Sequence, residues 1–140
     1  MQVTLNRIND DYQFEGKGKT GTSVRVDNTS QDNANGASPM ELLLMGVGGC
    51  SAIDVIHILK KQRQIIRSYH MEVNGTRKDV KQAKPFEAIH VKIFLEGDID
   101  PEKARKAAEL SFDKYCSVSI TMEGSVAISH EIIINGKNVC

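Results

Sequence analysis

A chain of 140 residues, of which 40% are hydrophobic, suffices for one domain with a real core. Its 18 basic and 18 acidic residues cancel to a formal net charge of zero, and no basic block appears, which argues against a phosphate-neutralising nucleic-acid surface. Three cysteines and a polar, alternating opening (Gln2–Arg7) point to free or cycling thiols in a cytoplasmic protein, not to a disulfide scaffold or a leader peptide.

In chain order, Gln2–Arg7, Tyr12–Phe14 and Ser23–Val26 alternate and predict three short strands, with Gly16, Gly18 and Gly21 in or beside the turns. Asn28–Ala37 is rich in Asn, Ser, Asp and Gly and predicts a solvated, mobile loop. Ser38-Pro39 opens a long helix running to about Lys61. Serine is a good N-cap, proline suits the first helical position, and Glu41 stands three residues after Ser38 as in a capping box.

The first half of that helix is apolar nearly all round, which predicts burial on most sides. Gly46, Gly48 and Gly49 lower helix propensity by about 1 kcal/mol each against alanine, a cost that close approach by another backbone would offset. Leu42–Leu59 is the most apolar stretch, but Asp54 and His57 interrupt it, so the expectation is a core helix and no membrane span.

Ser68–Arg77 and Ala88–Leu95 alternate as neighbouring antiparallel strands; in the second, Ile89, Val91, Ile93 and Leu95 share one face. Asp100-Pro101-Glu102 starts a second helix that ends near Tyr115, with a small-residue stripe at Ala104, Ala107, Ala108 and Ser111. Val118–Met122 predicts a further short helical turn, Ser125–Ile134 a last strand, and Asn135–Cys140 a frayed tail. Strands and helices in separate runs indicate an α+β architecture.

Two cysteines carry most of the chemistry. Cys50 follows Gly48-Gly49 in the apolar helix, and Cys116 follows Lys114-Tyr115 at the end of the second. Either alone is most often a small buried hydrophobe. Together they form a redox centre only if folding closes 66 residues of separation, since a disulfide requires Cα atoms within about 7 Å. Asp54 and His57 follow Cys50 at offsets of four and seven on one helical face. A polar stripe accounts for them more simply than a metal, so no metal and no cofactor are expected. His70, His90 and His130 are expected to face solvent, and Cys140 to be a terminal thiol without a preorganised site.

Ser38-Pro39-Met40-Glu41, the leucines after it, Gly-Gly-Cys50 with Asp54, and Lys114-Tyr115-Cys116-Ser117-Val118 together resemble the OsmC/Ohr family, in the branch with Ser-Pro-Met-Glu before the helix cysteine. The resemblance covers nearly the whole chain as a single domain, 1–140. It implies an OsmC-like fold, with antiparallel sheets wrapping a long central helix in an intertwined homodimer. It implies thiol-dependent reduction of organic hydroperoxides, with Cys50 peroxidatic and Cys116 resolving. The disulfide is recycled by an external dithiol, a lipoylated protein in some members.

Family members with that activity carry a glutamate directly after the proline and an arginine in an N-terminal loop. Here Met40 follows Pro39, leaving Glu41 as the candidate catalytic acid alongside its capping role, and the candidate cations are Lys17, Lys19 and Arg25. The departures leave open a second reading: a non-enzymatic dimer of the same fold that binds a small apolar or thiol-reactive ligand, or senses oxidation.

Overall fold

The computed structural model describes residues 1–139, so Cys140 lies outside the described residues. The chain divides into two compact units, one ending at Leu43 and one beginning at Leu44.

The first unit is a three-stranded antiparallel sheet, β1 (Thr4–Arg7), β2 (Phe14–Lys17) and β3 (Ser23–Val26), in the order β1-β2-β3. Asn9 closes the first hairpin, its side-chain oxygen accepting from the backbone N–H groups of Asp11 and Gln13, both at 3.0 Å. The polar loop, largely exposed as expected, is anchored by hydrogen bonds. Asp27, only 8% exposed, accepts from the N–H groups of Asn35 (2.8 Å) and Asn28 (2.7 Å). Those two hydrogen bonds, Asn35 first, hold its carboxyl below the ordinary range. The ends of the loop are tied back by Asp27 N–H to Ala37 O and Ala37 N–H to Arg25 O, each 3.0 Å.

Helix α1 (Pro39–Lys61) starts in the first unit and continues through the second. Its capping box is formed: Glu41 N–H donates to Ser38 Oγ (3.1 Å) and Ser38 N–H to Glu41 Oε1 (3.3 Å). Burial on α1 is narrower than its composition predicts. The buried residues are Val47, Gly48, Ser51, Val55 and Leu59, a stripe with four-residue spacing. Outside it, Met45 is 57% and Ile53 71% exposed. By length and composition alone α1 could cross a membrane, although its buried stripe belongs to the core of the second unit. At Gly48 the close neighbours are side chains and not another backbone: an added Cβ would lie 2.8 Å from Met71 Sδ and 3.0 Å from Val73 Cγ2. Glycine there lets the helix settle directly onto the next strand.

The second unit holds a four-stranded sheet of β4 (Ile65–Arg77), β5 (Phe86–Asp98), β6 (Ala127–Ile134) and β7 (Lys137–Asn138), in that spatial order. The β4–β5 hairpin is antiparallel, pairing Tyr69 with Leu95 and Met71 with Ile93. Ile89, Val91, Ile93 and Leu95 are buried on one face of β5, as their alternation requires. β6 lies parallel to β5, so this sheet is mixed. A parallel neighbour needs a crossover, which here consists of α2 (Pro101–Leu110), a π-helical turn (Ser111–Tyr115) and α3 (Ser117–Met122). Alternating strands cannot announce that direction; only the length of the helical connection does. Ala104, Ala107, Ala108 and Ser111 are fully buried, as the small-residue stripe predicts. Part of the expected frayed tail is instead β7, paired antiparallel through Ile134 and Lys137.

A β-bulge at Arg67 separates the pairs Ile66–Gly97 and Ser68–Glu96. Gly97 has φ +152°, and an added Cβ would lie 1.9 Å from the Ile65 carbonyl oxygen. Asn135 brackets the same residue, accepting from Gly97 N–H (3.1 Å) and donating to Gly97 O (3.0 Å). Gly97→Ala should therefore cost about 3 kcal/mol, because the obstruction is backbone and cannot rotate away. A wild-type midpoint for this variant in urea unfolding would contradict the strain assigned to position 97.

Candidate active site

Folding brings the two distant cysteines together. The sulfurs of Cys50 and Cys116 and a carboxylate oxygen of Asp54 all lie within 4.8 Å of one another. Both thiols are free. Cys50 is partly exposed in the middle of α1, whereas Cys116 is fully buried.

Local backbone chemistry sets each position. Asp54 follows Cys50 by one helical turn, so both point to the same side of α1. The π-helical turn ends as Cys116 N–H donates to Ser111 O, five residues back, at 2.7 Å. Cys116 then leaves helical geometry (φ −72°, ψ 98°) and caps α3 with its sulfur. Ser119 donates to that sulfur twice, from Oγ at 3.1 Å and from its backbone N–H at 3.5 Å. Ser111 Oγ donates to Asp54 Oδ2 at 2.9 Å, linking the crossover to α1.

Burial pushes the Cys116 thiol above its ordinary range; the two Ser119 donors pull it back in part, and Cys50 beside it adds to the rise. Next to Asp54 opens a cavity of about 460 Å³ lined also by His57, Ile58, Lys61 and Tyr115. His57 thus belongs with Asp54 at this cavity, whereas the cluster of donor atoms pairs Asp54 with the two thiols.

The remaining sequence candidates have contacts of their own. Glu41 is exposed and bonded to the Ser38 N–H it caps. Lys17 is paired with Glu15 at 3.0 Å within the first unit's sheet. Of the histidines expected at the surface, His70 is exposed and tilted against Phe94. His130 departs from that expectation: it stacks on Phe112 with ring centroids 4.7 Å apart, and burial lowers its pKa. His90 is partly covered, with Nδ1 2.8 Å from Ser129 Oγ and Nε2 3.5 Å from Glu131.

Ser111 and Ser119 are the site residues that sequence reasoning missed. Ser111 read as a small packing residue, because its hydroxyl's partner lies 57 residues away. A signal for Ser119 did exist: it stands three residues after a residue that opens a short helix, where an N-cap side chain accepts a hydrogen bond.

The OsmC-like protein family model matches residues 30–131. Protein YhfA of Escherichia coli K12 is 36% identical over 118 residues, covering 84% of this chain and 86% of that protein. A crystal structure of a protein from Aquifex aeolicus VF5 aligns with a TM-score of 0.81 and 32% identity over 96% of both chains. The organic hydroperoxide resistance protein OhrB of Bacillus subtilis shares the fold, with a TM-score of 0.64 at 19% identity, over 94% of this chain and 96% of that one.

The raised Cys116 thiol has a consequence for stability. The folded protein holds this proton to higher pH than the unfolded chain does, so the thiol's contribution is complete below the unfolded value, about 8.5, and is lost as pH rises through the folded one. Under reducing conditions, the unfolding free energy of wild type minus that of Cys116→Ser should be flat from about pH 6 to about pH 8 and decline above pH 8.5. A difference that grows with pH would reverse the assigned shift.

Proposed function

The chain belongs to the OsmC-like protein family, and we propose that it reduces organic hydroperoxides through Cys50 and Cys116. The observation that carries this reading is the convergence of two free thiols of unequal exposure, with both sulfurs inside a 4.8 Å cluster. The name of the Bacillus relative, an organic hydroperoxide resistance protein, agrees with that chemistry.

Cys50, the thiol that solvent reaches, is the attacking group. Its thiolate bonds to the terminal hydroperoxide oxygen, the O–O bond breaks, and the alkoxide leaves as alcohol after taking a proton. Cys50 is then a sulfenic acid. The sulfur of Cys116 attacks it, the S–S bond forms, and hydroxide leaves as water with the proton that Cys116 gives up. Asp54, whose carboxylate lies beside both sulfurs, is the group placed to pass that proton across. An external dithiol, such as a lipoylated protein, restores both thiols by exchange. The cavity beside Asp54, with Ile58, Tyr115 and Lys61 in its wall, offers an apolar and cationic entry for the substrate. Glu41, committed to its cap, is assigned to the helix start and not to the reaction.

The same reading includes a homodimer. Met45 and Ile53 leave an apolar side of α1 uncovered within one chain, and a second copy is the partner whose surface is apolar in the same way.

Two measurements test these proposals. Treating the reduced protein with an organic hydroperoxide should remove two hydrogens from its mass and give a peptide linking Cys50 to Cys116, with repeated turnover when a dithiol is supplied. Cys50→Ser should abolish turnover, and Cys116→Ser should leave a sulfenic acid that dimedone traps and excess peroxide over-oxidises. Multiple turnovers by Cys116→Ser at the wild-type rate would remove the resolving role, and a single oxidation without cycling would favour a sensor. Separately, Ile53→Asp should shift the sedimenting species from dimer toward monomer, weakening association at least about tenfold, since a charge would be buried without a partner. Wild-type protein that sediments as a monomer would exclude the dimer.

A further inference from the structure

We propose that the reduced site binds a thiophilic divalent cation of the zinc type, held by Cys50, Asp54 and Cys116. Three donors of suitable chemistry already converge: two sulfurs and a carboxylate oxygen, mutually within 4.8 Å. A tetrahedral zinc with sulfur at about 2.3 Å and oxygen at about 2.1 Å requires donor separations near 3.5–3.8 Å, so the set has at most about 1 Å to close on binding. Two thiolates select zinc over magnesium or calcium, which prefer an all-oxygen shell. Three protein ligands and one open position, left to water, match the arrangement of reactive zinc sites and not of closed structural ones.

The surroundings support the set as ligands. Ser111 Oγ donates to Asp54 at 2.9 Å, orienting the carboxylate from behind. Ser119 donates to Cys116 Sγ from its hydroxyl and its N–H, which suits a thiolate held on a metal. Cys50 is partly exposed and Asp54 borders an open cavity, so an ion has a route in. Neither Asp54 nor Ser111 is needed to explain two thiols that merely pack together.

Binding is an exchange in which both thiols release their protons and the ionised carboxylate joins them; nothing is oxidised. Joining the sulfurs removes two of the three ligands. A hydroperoxide that does this accepts two electrons, becomes its alcohol and water, and releases the ion. Zinc and the disulfide are therefore mutually exclusive states of one site.

The experiment uses the full chain, reduced and anaerobic, both as wild type and as Cys140→Ser, which removes the thiol outside the described residues. Zinc is titrated in competition with a chromophoric chelator. The expected result is one zinc per chain in both proteins, with about two protons released per ion near neutral pH. Binding should weaken at least about tenfold in Asp54→Asn and about tenfold in Ser111→Ala, and should vanish in Cys116→Ser and in the disulfide form. Cobalt in place of zinc should give the intense visible absorption of a tetrahedral thiolate complex, a signature that loss of folding cannot imitate. Failure to compete with the chelator, binding unchanged in Cys116→Ser, or a weak octahedral cobalt spectrum would each overturn the proposal. Peroxide turnover without zinc binding would sink this inference alone, and zinc binding without turnover would sink only the redox reading.

Discussion

The sulfur of Cys116 is under two constraints at once, and the site depends on their agreement. It is the N-cap of α3, so the first turn of that helix fixes where it points. It also has to meet Cys50, which the middle of α1 holds in a different place in the sequence. What reconciles them is a closed circuit of short connections. One helical turn joins Cys50 to Asp54, a hydrogen bond joins Asp54 to Ser111, and the π-helical turn joins Ser111 to Cys116. The extra residue of that turn re-aims the chain just where α2 would otherwise have continued. Without it, Cys116 would fall about 100° further round a regular helix.

The crossover that delivers Cys116 also determines the sheet. Because α2, the π-helical turn and α3 return the chain alongside β5, β6 enters parallel and buries Ile132 and Ile134 beside Ile93 and Leu95. Burying small residues in α2 lets that connection lie close, with Ala104, Ala107 and Ala108 offering no bulk. The site is thus built on regular elements, with its donors on α1 and at the head of α3. That favours defined geometry over the adaptability of a loop.

Much of this was legible from residues. Alternation located β4 and β5, the capping residues located the start of the long helix and of α2, and the small-residue stripe marked the buried side of α2. Less was legible where the determining partner is remote. The parallel direction of β6, the register that pairs β7 with it, and the bond from Ser111 to Asp54 all depend on tertiary placement that no local period encodes. His130 shows the same limit, since alternation gives it a face but not the Phe112 ring that covers it. The apolar character of α1 was readable, yet composition could not say that one chain would fully bury only Val47, Gly48, Ser51, Val55 and Leu59. A helix apolar beyond its own chain's needs implies a further surface against it.

On the redox reading the two sulfurs still have to close from within 4.8 Å to a bond of about 2.05 Å, and the architecture assigns that motion to one side. Cys50 is in the interior of a 23-residue helix, with Val47, Ser51 and Val55 buried around it. Moving its backbone would disturb packing that the second unit's core relies on. Cys116 sits between a π-helical turn of five residues and a helix of six, both short enough to shift as a small body. Its sulfur is held by two hydrogen bonds from Ser119, weaker than bonds to oxygen, and both travel with α3 if α3 moves, while its N–H stays tied to Ser111 O at 2.7 Å. The cap can therefore stay intact while the sulfur advances, and the bond from Ser111 to Asp54 marks the hinge side of that motion. A rigid attacking thiol and a mobile resolving one is the division of labour that this pair of helices permits.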